Sequence, residues 1–138
     1  MPTFPSAEWI DAFCKELEAH PRAAHAAASL GGVYQFIIDP AGPLDDRRQY
    51  HVSLSVTDGH VQVARVDEAG AARLTVRADY DHWQQMLRGQ LDLAPAMLFG
   101  RVQISGDLAA LLGAQQDVGV VVDALRTVDT IWLEQHSA

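Results

Sequence analysis

Two stretches decide the reading of this chain: Trp83-Gln84-Gln85-Met86-Leu87-Arg88-Gly89, and Ala96-Met97-Leu98-Phe99-Gly100-Arg101-Val102-Gln103-Ile104-Ser105-Gly106-Asp107. In the first, Trp83, Met86 and Leu87 share one side of a helix that starts at an N-cap Asp79 and stops at Gly89, with Arg88 in its last turn. In the second, Pro95 to Phe99 reads as a short helix closed by Gly100. Val102 and Ile104 then alternate with Arg101, Gln103 and Ser105 as a strand, and Gly106-Asp107 opens another helix. Helix, glycine, short helix, glycine, strand, glycine-aspartate is the frame on which the remaining segments are placed.

Upstream, Ser6 stands as N-cap before Trp9, Ile10, Phe13 and Leu17, an amphipathic helix interrupted at His20-Pro21. An Ala-rich helix is expected from Pro21 to Leu30, ending at Gly31-Gly32. Val33 to Asp39 reads as a strand, and Pro40 to Arg48 as a solvated loop that includes Asp45, Asp46, Arg47 and Arg48. From Tyr50 to Thr57 the residues Tyr50, Val52, Leu54 and Val56 fall on one face, with His51, Ser53 and Ser55 on the other. Asp58-Gly59 is a two-residue hairpin turn, and His60 to Val66 is the returning strand. A turn at Asp67 to Gly70 and a strand from Ala72 to Ala78, with Leu74 and Val76 inward, complete an expected three-strand meander. Downstream, Leu108, Leu111 and Leu112 form a short apolar face. The last segment puts Val118, Val121, Val122, Leu125, Val128 and Trp132 on one stripe.

Composition narrows the function classes. The 138 residues suit one domain, taken as 1–138, and they show no repeat, low-complexity tract or linker. No apolar run approaches the roughly 20 residues that cross a bilayer, and no basic-then-apolar leader opens the chain. A non-exported protein without stable membrane insertion is therefore expected. The formal charge of −8 disfavours nucleic acid and anionic lipid as partners. The basic residues are nine arginines and Lys15, with abundant alanine and no asparagine, a bias of GC-rich bacterial genomes. Cys14 is the sole cysteine, which excludes an internal disulfide and fits a reducing, cytoplasmic setting.

No Walker loop, dinucleotide fingerprint, nucleophile elbow, paired-cysteine motif or His-Glu-x-x-His is present, so no catalytic residue, metal ligand or cofactor is assigned. The hairpin register tests one metal pair: if Thr57 faces His60, then His51 and His60 lie ~20 Å apart, about six residues at ~3.3 Å each. Two ligands of one ion need nitrogens within ~2.1 Å of it. Cys14 reads as a structural thiol: activation would need a nearby base or cation, and His20, six residues on, lies well round the helix.

Across about Ser6 to Trp132, the order of elements and the two quoted stretches resemble the sterol carrier protein type 2 family, the non-specific lipid-transfer domain, as a bacterial stand-alone member. Their pattern is similar to the family's helix-Gly, Ala-x-x-x-Gly, and basic-apolar-x-apolar-x-Gly-Asp run. The resemblance implies an α+β fold: a five-stranded, largely antiparallel sheet covered on one face by helices, with an apolar tunnel between them. It implies binding and transport or presentation of a fatty acid, fatty acyl or sterol-like lipid without catalysis. By position it makes Trp83, Leu87, Met97, Phe99, Ile104, Val121 and Leu125 the tunnel wall, and flexible Met86 and Met97 suit such a lining. The acidic charge, and an ending Gln135-His136-Ser137-Ala138 in place of a peroxisomal address, depart from better-known members and point to a bacterial cytoplasm. Two other classes stay open: an accessory module with a filled core, acting as a homodimer or on an enzyme partner, and an enzyme using Cys14, His51, His82 or an Asp on a small apolar substrate.

Overall fold

A computed structural model describes residues 1–66 and 72–133. The turn expected at Asp67 to Gly70 and the tail Gln135 to Ala138 lie outside the described residues. In chain order the elements are β1 (Thr3–Phe4), α1 (Ala7–Ala19), α2 (Ala23–Leu30), β2 (Gly32–Asp39), β3 (Arg48–Thr57), β4 (His60–Val66), β5 (Leu74–Asp79), α3 (Tyr80–Leu87), α4 (Leu93–Leu98), β6 (Gln103–Gly106), α5 (Leu108–Gly113), α6 (Gln115–Thr127) and β7 (Ile131–Trp132).

Side chains set the helix starts. The Ser6 hydroxyl accepts the Trp9 amide at 3.1 Å, the Asp79 carboxylate accepts the His82 amide at 2.8 Å, and Asp107 accepts that of Ala110 at 3.2 Å. The hairpin closes as its turn chemistry requires. Asp58 and Gly59 both take positive φ (52° and 78°), and Thr57 pairs with His60. That register sets His51 opposite Val66, at the far end of the hairpin from His60. Gly106 ends β6 at φ 111°, where a Cβ would lie 2.3 Å from the Arg73 carbonyl oxygen, so only glycine lets β6 leave the sheet here.

The five-stranded sheet runs β4-β3-β2-β5-β6; three of its ladders are antiparallel, and β2 with β5 is parallel. This corrects the expected meander. β5 does not continue beside β4 but crosses to the other edge of β2, pairing Phe36 with Val76 and Ile38 with Ala78. The reason lies in burial: β4 buries only Val63 and can serve as a polar edge strand, whereas apolar β2 must be paired on both sides. Alternation assigned Leu74 and Val76 to the correct face, because it encodes the face and not the neighbour.

Helices cover one face. α1 packs on β3 and β4, α2 on β3, α3 on β2 and β5, and α6 lies against α1, α2 and α3. The other face carries polar cross-strand contacts such as Gln35 with Gln49 and Thr75. A second correction concerns Trp132. α6 ends at Thr127, and Val128 turns the chain extended (φ −64°, ψ 121°), so Trp132 leaves the helical stripe for β7, which pairs in parallel with β1. Phe4 is the anchor of that clip, buried within 4.8 Å of Trp9 and 5.8 Å of Trp132 between ring centroids. Trp9 Nε1 donates to Thr130 Oγ1 at 2.9 Å, and the Leu133 amide to the Tyr80 hydroxyl at 3.0 Å. These bonds tie the C-terminal end of the described chain to α1 and α3.

Candidate ligand cavity

Between the covered sheet face and the helices lies a cavity of about 90 Å³. The sheet supplies the floor through Tyr34, Phe36, Val52, Leu54, Leu74 and Val76, with Ile104 at its edge. α1 and α2 contribute Phe13, Leu17 and Leu30; α3 contributes Trp83 and Met86. α6 lays Val118, Val121, Val122 and Leu125 across the top, and Leu93 of α4 and Leu111 of α5 close the side. The last group is thin cover. Leu93, Leu111, Val118 and Val122 are only half-buried, and α5, apolar from Leu108 to Leu112, buries none of its residues.

The wall offers an apolar guest nothing but apolar contact. The Trp83 indole N–H donates to the Ile37 carbonyl at 3.0 Å, and the Tyr34 hydroxyl donates to the Leu30 carbonyl. Both polar handles are thereby occupied by backbone, and among the described residues no carboxylate, imidazole or ammonium group reaches the lining. Such a surface can bind by dispersion and by removing apolar area from water.

Of the residues assigned by resemblance, Trp83, Ile104, Val121 and Leu125 meet on this wall. Leu87, Met97 and Phe99 stand outside it. Leu87 is buried on α3, but the Trp83 and Met86 side of that helix faces the cavity. α4 is only six residues long and buries Ala96 alone, which turns Phe99 into solvent, 71 % exposed. The reading of wall residues overlooked Phe13, Leu17, Leu30 and the inward sheet residues. The periodicities that mark those as buried were legible, but a buried residue over a void has the same pattern as one in a filled core.

α6 is fastened at both ends of its wall segment. Near its start Asp117, 4 % exposed, accepts a hydrogen bond from the Ser29 hydroxyl, and His25 Nδ1 lies 2.7 Å from its other oxygen. Near its end Arg126 Nε donates to the Met86 carbonyl at 3.0 Å. The Ser29 hydrogen bond foremost, then His25, hold the Asp117 carboxyl below the usual aspartate pKa, although burial opposes them. A depressed folded-state pKa stabilises the fold above the unfolded value, near 3.9, and that contribution is lost as pH falls through the folded value. Asp117→Asn is therefore expected to lower stability at pH 7 by about 1–3 kcal/mol. The gap between variant and parent should narrow progressively as pH falls below the unfolded value, as read by thermal melting.

The residues weighed for catalysis are dispersed. Cys14 is buried on α1, and burial, with the nearby charges of Asp11 and Glu18, pushes its thiol up to about 12. It is no nucleophile at neutral pH. His51 sits on the uncovered side of β3, and His82 is on α3 with Nδ1 3.2 Å from Asp79. Among the described residues, no group of three His, Cys, Asp or Glu side chains could hold a metal ion, and no helix is long and apolar enough to cross a membrane.

Comparison with known proteins adds the lineage. The profile of the SCP-2 sterol transfer family matches residues 10–117. Among curated proteins none matches. Similar solved structures include a conserved hypothetical protein of Thermus thermophilus, at 23 % identity and TM-score 0.69, covering 91 % of this chain and 90 % of that one. A sterol carrier protein 2 crystal structure follows at 24 % identity and TM-score 0.68, over 90 % and 98 % of the two chains. A ubiquinone synthesis protein with the same fold shares 20 % identity over 82 % and 88 %, at TM-score 0.53.

Proposed function

The chain belongs to the SCP-2 sterol transfer family, and on that premise we propose that it binds and transports or presents an elongated apolar ligand, a fatty acid, fatty acyl or sterol-like lipid, without changing it chemically. The observation that carries this reading is the wholly apolar cavity roofed by α6. Trp83, Ile104, Val121 and Leu125 are the proposed contacts. Each methylene moved from water into such a site contributes ~0.8 kcal/mol, so shape and softness suffice for binding.

At about 90 Å³ the cavity is small beside the ~300–1,000 Å³ of sites that enclose drug-sized ligands. Entry of an acyl chain thus requires the walls to part, and the half-buried side formed by α4, α5 and α6 is the place where least packing is lost. The arginine- and alanine-rich, single-cysteine composition supports a bacterial cytoplasm as its setting.

Native mass spectrometry of freshly purified protein, followed by denaturing extraction, tests the proposal. A co-purifying lipid-sized apolar molecule is the expected result. A clean ligand-free mass, together with no uptake of a fluorescent fatty acid, would overturn it. The second reading, an accessory module or homodimer with a filled core, draws on the small cavity and on the exposed Leu98, Phe99 and Leu112. That outcome would favour it, and the solution mass would then separate homodimer from monomer.

A further inference from the structure

A second cleft, of about 450 Å³, opens on the opposite side of the sheet at the ends of β2, β5 and β6. Period-two alternation explains its polarity. Ile38, Val76, Ala78 and Ile104 point to the helices, so Asp39, Arg77 and Gln103 point the other way, and His82 of α3 and Arg101 ahead of β6 complete the lining with Asp79.

The hydrogen-bonding inventory of this cleft is one-sided. Asp39 is occupied twice: its Oδ2 accepts from Arg77 Nε at 2.7 Å and its Oδ1 from Arg47 Nε at 2.8 Å. Burial by itself would raise the Asp39 pKa, but the bonds and charges of Arg77 and Arg47 outweigh it and keep the carboxyl below the usual range. It remains an anion that fixes two guanidinium groups. The Asp79 carboxylate is occupied by the His82 amide, with the imidazole 3.2 Å away. Against these two engaged acceptors stand solvent-facing donors. Arg77 engages Nε and Nη2, and among the described residues Nη1 has no protein acceptor. Among the described residues no carboxylate pairs with Arg101 at all, in a chain with 18 acidic side chains against 10 basic ones. Arg47, read from sequence as part of a solvated charged loop, acts here by holding Asp39.

We propose that this cleft binds a phosphate-type oxyanion, with Arg101 and the free edge of Arg77 as the charged donors and Gln103 and His82 at its sides. Planar guanidinium forks suit such a group because they donate two parallel hydrogen bonds. The site lies across the sheet from the apolar cavity, so the inference stands whether or not that cavity takes a lipid.

Titrating inorganic phosphate at constant ionic strength into isotope-labelled protein, with chloride as the control anion, is the test. Saturable NMR shifts at Gly100, Arg101, Gln103 and His82 are expected. Arg101→Gln should weaken binding about tenfold, the loss of one charge-assisted hydrogen bond, with melting unchanged because the exposed Arg101 side chain pairs with no carboxylate among the described residues. Gln103→Glu, which adds a carboxylate on the exposed edge strand, should weaken it as well. Vesicles of phosphatidylcholine with and without phosphatidic acid distinguish a lipid headgroup from a free anion: co-sedimentation that needs phosphatidic acid and fails in Arg101→Gln also sustains the site. Absence of binding in both arms, or binding unaffected by both substitutions, overturns it.

Discussion

Leu125→Asp is expected to destabilise the chain by several kcal/mol, a large share of the ~5–15 kcal/mol that holds a domain of this kind folded. Leu125 is 6 % exposed on α6 and lines the cavity together with Trp83 and Met86 of α3. A carboxylate placed there would lose its hydration without gaining a partner. The nearest basic residue in sequence, Arg126, is engaged with the Met86 and Leu91 carbonyls and with Asp92. Protonation would relieve the charge but leave a buried polar group on an apolar wall. At about 2–8 °C per kcal/mol, the melting midpoint should fall by roughly 10 °C or more. Ile104→Asp should act in the same direction but less strongly, because Ile104 is half-buried on edge strand β6. Unchanged melting of Leu125→Asp would mean that α6 does not present this face to the sheet.

That prediction could be written from the sequence, because the stripe Val118, Val121, Val122 and Leu125 repeats at helical spacing. The capping residues and the Thr57 to His60 register were equally legible, since both depend on chemistry within a few residues. What escaped were decisions made between distant segments. Nothing local in Leu74 to Asp79 says that its neighbour is β2 and not β4; the choice rests on which strand needs two partners. Trp132 is spaced to extend the α6 stripe, yet its ring system meets Phe4, from the other end of the sequence, and the Arg88 guanidinium, 5.0 Å from its centroid. The candidate site shows the same division. Trp83, Ile104, Val121 and Leu125 belong to elements of clear period, whereas Met97 and Phe99 fall in and just after a six-residue helix, too short for its period to fix a facing direction.

Val121→Trp separates binding from folding. Val121 is half-buried on α6 and faces the cavity, so an indole grown from that position extends into space the wall already leaves open. Overpacking should cost no more than about 1–3 kcal/mol, and the variant is expected to stay folded with a modestly lowered melting midpoint. Uptake of a fluorescent fatty acid should fall at least about tenfold, equivalent to about 1.4 kcal/mol of affinity, because the volume that would hold the chain is filled. Val121→Ala supplies the converse: it removes two methyl groups, enlarges the cavity at a similar cost in stability, and should leave uptake intact. If Val121→Trp bound the probe as the parent does, the ligand would have to sit elsewhere on the molecule, and the space under α6 would be a packing defect and not a site. If both variants lost binding in proportion to their melting temperatures, stability would govern uptake. A loss confined to the tryptophan variant is the result that ties binding to this cavity.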